Sequence, residues 1–108
     1  MFTYNITFVV APEKEKEVLE YLRQEIIPEL FNTETSATRP RLKKLVEAGG
    51  EKPEADHGLS IALSACLPSE EKAHHWHDMV LIPSLNDFHS KFGQHSLFFI
   101  TLLQNLSL

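Results

Sequence analysis

The chain has 108 residues, 43% hydrophobic and 23% charged, with a formal charge of −5 at pH 7. That length suits one domain, residues 1–108, whose core needs no disulfide or structural metal. The acidic balance argues against nucleic acid as a partner, and a single cysteine, Cys66, excludes an internal disulfide. No apolar run approaches the roughly 20 residues that cross a bilayer, and the N-terminus lacks the basic region and cleavage site of a signal peptide. The expectation is a soluble cytoplasmic protein without a membrane partner or cofactor.

Phe2, Tyr4, Ile6, Phe8 and Val10 alternate with Thr3, Asn5, Thr7 and Val9, which predicts a strand with one greasy side. Pro12 then opens a helix with Glu13 and Glu15 in its first turn, where the helix dipole favours negative charge. Its apolar stripe is Val18, Leu19, Leu22, Ile26 and Leu30, and Pro28 sits near its end. Asn32 to Ser36 is a polar loop.

From Ala37 to Glu47 a weaker strand is expected, with Pro40 inside it and Arg39, Arg41, Lys43 and Lys44 along it. Proline and basic side chains mark a protected sheet edge, and no interleaved aromatics favour the rival reading of a phosphate-binding patch. Residues 48–57, with Gly49, Gly50 and Pro53, form an exposed loop by composition. Leu59, Ile61, Leu63 and Ala65 then alternate with Ser60, Ala62, Ser64 and Cys66 as a second one-sided strand.

Ser69 to Phe92 predicts the second helix, started by Pro68 and Ser69 with Glu70 and Glu71 in its first turn. Read at about 100° per residue, Ala73, His77, Val80, Leu81, Ser84, Leu85, Phe88 and Phe92 share one stripe. Pro83 breaks the hydrogen-bond ladder midway and predicts a kink. After Gly93, Leu97 to Leu103 is a last strand, apolar on both faces apart from Thr101.

The order is strand, helix, strand, strand, helix, strand. An offset of 55 residues lays Pro28 on Pro83, Ile27 on Ile82, Ile26 on Leu81, Leu30 on Leu85 and Tyr21 on Trp76, and brings the first strand over the third. Two such halves predict a ferredoxin-like α+β fold, βαββαβ, with a four-stranded antiparallel sheet and both helices on one face.

Four histidines lie in the second helix. His74 and His77 form an i, i+3 pair, His75 points elsewhere, and no further ligand stands at a recognisable spacing, so no metal site is expected. His77 lies on the predicted stripe where Leu22 stands in the first half; a core histidine is favoured over an acid or base. His89 is the other weak acid/base candidate. Asn5, Thr7, Ser60 and Ser64 meet on the face opposite the helices if the first and third strands are neighbours. They suit plain solvent exposure, or the lining of a ligand cavity once something covers them. Cys66 reads as a small hydrophobe.

Tyr4-Asn5-Ile6-Thr7, Ile27-Pro28, and the run Pro83, Leu85, His89, Lys91, Phe92-Gly93, Phe99 and Thr101-Leu102-Leu103 resemble a family of short bacterial proteins known only as a domain of unknown function. The resemblance implies a ferredoxin-like fold of the dimeric α+β-barrel type and no established activity. Members often carry a histidine two residues before the first helix's proline, where this chain has Ile26.

Two functions follow as expectations. The first is a homodimeric module that binds a small ligand or a protein partner, joined through the sheet face the helices leave bare. Its interface core would be Leu97, Phe99 and Leu103, or Phe98, Ile100 and Leu102 in the other register. The alternative is a small enzyme of the monooxygenase-like kind, using His77 or His89 as acid/base.

Overall fold

The computed structural model describes residues 1–32, 35–46 and 59–107, so the 48–57 loop lies outside the described residues. Strand β1 (Phe2–Val10) is followed by the first helix, then β2 (Thr38–Lys44), β3 (Leu59–Leu67), the second helix and β4 (Ser96–Gln104). The four strands form one antiparallel sheet in the order β2-β3-β1-β4. This is the ferredoxin-like plan.

The alternation in β1 and β3 becomes two faces. Tyr4, Ile6, Phe8 and Val10 pair with Ala65, Leu63, Ile61 and Leu59, and all but Leu59 are buried in the core. Val18, Leu22, Ile26 and Leu30 from the first helix close over them, with Ala73, Trp76, Leu81, Leu85, Phe88 and Phe92 from the second. Phe8 sits at the centre, edge-on to Phe88 with ring centroids 4.8 Å apart. Burying such a ring in place of water is worth a few kcal/mol.

The prolines shape both helices in the same way. The first runs from a 3-10 turn, Pro12–Lys14, through Glu15–Tyr21, a π-turn at Leu22–Ile26 and a last α-turn at Ile27–Leu30. The second runs through Glu70–Trp76, a π-turn at His77–Leu81 and Ile82–Phe92. A proline has no N–H, and its ring crowds the carbonyl four residues back. In place of a sharp break, the turn before it widens: Ile27 N–H bonds the Leu22 carbonyl, and Ile82 N–H bonds the His77 carbonyl, each five residues back. The kink expected at Pro83 is therefore taken up as a π-turn.

The two helices repeat at an offset of 55 residues, whereas β1 and β3 begin 57 apart, with the Pro12–Lys14 turn lying in the longer connection. Both offsets are odd, and every inward residue of β1 still falls on an inward one of β3. Glu29 and Ser84, also 55 apart, meet directly: the Ser84 hydroxyl donates to Glu29 Oε2 at 2.7 Å. That bond joins equivalent positions of the two halves.

The predicted stripe is corrected just before the π-turn. Trp76, not His77, is the residue driven into the core, and its indole N–H donates to the Leu30 carbonyl at 3.1 Å. A widened turn inserts a residue, so the stripe skips from Trp76 to Leu81 before resuming at Leu85 and Phe88. Ser69 caps the helix as expected, accepting from the Lys72 N–H at 3.1 Å.

Strand β2 is an edge, as its proline and basic residues predict, and is shorter than the span from Ala37 to Glu47. Arg39 adopts φ 54, and the register with β3 slips between Thr38 and Arg41, a bulge that spoils the edge for further pairing.

Phe8→Ala should cost about 3–5 kcal/mol, because rigid neighbours on both sides cannot collapse into the void; urea unfolding followed by circular dichroism measures it. The Tyr4 hydroxyl is held above its ordinary value of 10.0, first by burial and then by the Asp78 carboxylate. The folded state keeps this proton after the unfolded chain has lost it, so stability falls as pH rises through about 10 and beyond. Urea midpoints at pH 8 and pH 11 give the comparison, with the lower value expected at pH 11.

Candidate functional site

The sheet face away from the helices is built by the other half of each alternation. Cross-strand pairing sets its rows: Lys43, Ala62, Thr7 and Phe99 in one; Arg41, Ser64, Asn5 and Thr101 in the next; Thr38, Cys66, Thr3 and Leu103 in a third; with Ser60, Val9 and Leu97 at the far end. The adjacency of β1 and β3 thus brings Asn5, Thr7 and Ser64 to the middle of the face, with Ser60 at its far end, all half-buried. The Asn5 side-chain amide donates to the Thr7 hydroxyl at 3.0 Å.

Register also decides between the two readings of β4. Leu97, Phe99 and Leu103 point to the bare face and are 61%, 58% and 51% exposed. Phe98, Ile100 and Leu102 pair with Phe8, Ile6 and Tyr4 on the helix side and pack against the core. Three large apolar side chains on one uncharged edge strand form the largest hydrophobic feature of this face.

Charge is distributed unevenly across it. Among the described residues no Asp or Glu lies on this face, although the chain carries 15 of them. Arg41 and Lys43 project from it and make no ion pair among the described residues, whereas Lys44, on the helix side, meets Glu15 at 2.6 Å.

The histidines lie elsewhere. His77, expected in the core, has a side chain 32% exposed at the rim of the helix layer. Its ring stacks on Tyr4 at 5.8 Å, and its Nδ1 is 2.9 Å from an Asp78 carboxylate oxygen. His89 is exposed at the C-terminal end of the second helix beside Gly93, where an added Cβ would stand 2.6 Å from the His89 carbonyl oxygen. That crowding requires glycine there. Neither imidazole faces the bare sheet. His74 lies 3.5 Å from Glu70 with both side chains in water, and His75 is exposed. Among the described residues no group of three or more His, Cys, Asp or Glu could hold a metal. Cys66 is half-buried on the bare face, not in the core.

One feature that spacing missed lies on the helix layer. Glu17, Glu20, Tyr21, Gln24, Glu25, Lys91 and Phe92 border a shallow hollow, with the Lys91 ammonium 4.8 Å above the Tyr21 ring. The residues are remote in sequence, so only helix packing brings them together.

The chain belongs to the family described as a domain of unknown function (DUF4286), whose model matches residues 1–106. No curated protein sequence matches it. Among solved structures, an ethyl tert-butyl ether D (EthD) family protein from Bacillus halodurans superposes with TM-score 0.64 at 14% identity, over 94% of this chain and 97% of that one. The de novo designed protein Foldit4 gives TM-score 0.60 at 10% identity, over 97% and 98%. At these identities the likeness is one of fold. A fold of this kind assigns no activity by itself.

His77→Leu should change stability by no more than about 1 kcal/mol, since a half-exposed ring gives up one exposed hydrogen bond and gains apolar contact with Tyr4. A cost above about 3 kcal/mol in urea unfolding would mean that the ring is needed to hold Tyr4 and Trp76. For the histidine cluster, zinc titration by calorimetry should give no tight equivalent per chain.

Proposed function

We propose that this member of the DUF4286 family is a non-catalytic homodimeric binding module, in which two single-domain chains pack sheet against sheet. A small cavity then lies between subunits, lined by Asn5, Thr7, Ser60 and Ser64. The observation that carries this reading is the bare face itself, apolar along β4 and polar at its centre. Left in water, Leu97, Phe99 and Leu103 on an edge strand are an aggregation hazard. Two helices cover one face, and among the described residues nothing covers the other.

A second copy supplies a cover by symmetry, since an isologous contact presents the same apolar edge twice. The contact should bury more than about 1,200 Å² in total, the lower bound for a stable pair. A polar patch inside an apolar seal is also how ligand sites are built, with a few hydrogen-bonding groups fixing orientation. The fold is compatible with an enzyme, but a histidine acid or base would have to reach this cavity, and His77 and His89 sit on the helix layer. The absence of a helix long and apolar enough to cross a membrane among the described residues, together with the unpaired Cys66, fits a cytoplasmic module.

Light scattering at micromolar concentration should return twice the 12.3 kDa chain mass, and Phe99→Asp should return the monomer. Alkylation of Cys66 should be slow in the native chain and faster in that variant. A monomeric native chain that stays in solution would return the polar face to plain solvent exposure.

A further inference from the structure

The bare face grades in strand order, from cationic on β2 through polar on β3 and β1 to apolar on β4. We propose that the intersubunit cavity takes an amphipathic organic acid, a carboxylate carrying an apolar body; this rests on the dimer proposed above. Arg41 and Lys43 receive the carboxylate, and Phe99, with Leu97 or Leu103, receives the body.

Symmetry makes the cationic end informative. Two copies of this face bring together four basic side chains and no acidic one from the described residues, so the partner cannot neutralise Arg41 and Lys43 with the same surface. An anion entering between the subunits can. Lys44 indicates what the strand does when a carboxylate is within reach, pairing with Glu15 on the helix side at 2.6 Å.

The row Arg41, Ser64, Asn5, Thr101 sets direction and length. A guanidinium offers a planar fork that matches a carboxylate at two points, and the Ser64 hydroxyl, paired across from Arg41, adds a neutral donor beside it. Three strand spacings of about 4.8 Å separate β2 from β4, so the span from head to apolar wall is on the order of 10–14 Å. A medium-length chain or an aryl acid fits that span; inorganic phosphate reaches only one end of it.

Octanoate, 1-octanol and sodium phosphate are suitable probes, followed by calorimetry and thermal unfolding, with the mass monitored by light scattering. Octanoate should bind the dimer and raise its midpoint, and octanol and phosphate should bind at least tenfold more weakly. The double variant Arg41→Gln, Lys43→Gln should remain a dimer, with a ligand-free midpoint no lower than that of the native chain because like charges are removed from the face, and lose octanoate affinity at least tenfold. Phe99→Leu should keep the dimer and weaken octanoate more than it weakens phosphate. Equal binding of octanol, equal binding by the double variant, or no binding of octanoate by a dimeric native chain would each overturn the ligand assignment alone. A monomeric native chain would overturn the dimer and the ligand assignment together.

Discussion

A four-stranded sheet has two faces, and the described residues of this chain carry helical cover for one. That constraint governs where nearly every side chain lies. Alternation in β1 and β3 sends Tyr4, Ile6, Phe8 and Val10 with Ile61, Leu63, Ala65 and Leu67 to the covered side. The other half of each strand, from Thr3 to Val9 and Ser60 to Cys66, is left without a second layer among the described residues. Burial of the first set stabilises the chain through apolar area removed from water. The second set is half-buried, and the candidate site lies on it.

The helices that cover the sheet are matched to each other by their prolines. Pro28 and Pro83 each follow a π-turn, and the widened turns stand 55 residues apart, as the prolines do. A proline in one helix alone would aim two similar helices differently across one sheet. With both widened at the same place, Trp76 reaches the Leu30 carbonyl, and Ser84 reaches Glu29 across the pseudo-two-fold. The repeat is thus expressed as contact between equivalent segments, not only as similar sequence.

The resemblance to a family without a known activity takes on a physical meaning in this light. Tyr4 and Ile6 are core residues, Phe92 is buried, and Gly93 stands where a Cβ would press on the His89 carbonyl. Asn5, Thr7, Phe99, Thr101 and Leu103 are the matching residues that face the uncovered side. Structural demands account for the first group and leave the second unexplained by folding within one chain.

Much of this could be read from the chain alone, because period-2 and period-3.6 patterns report burial directly when one side of an element is polar. The strands β1 and β3, the stripe of the first helix, the cap at Ser69 and the edge character of β2 are of that kind. Sequence by itself could not say that Trp76 enters the core and His77 stands at its rim, since both lie within about 60° of Ala73 around the helix and phase alone does not rank them. Nor could it orient β4: Leu97 to Leu103 is apolar on both sides, so alternation is silent there. Only the hydrogen-bond register with β1, which sets Thr7 opposite Phe99 and Phe8 opposite Phe98, decided which side of that strand is left facing outward.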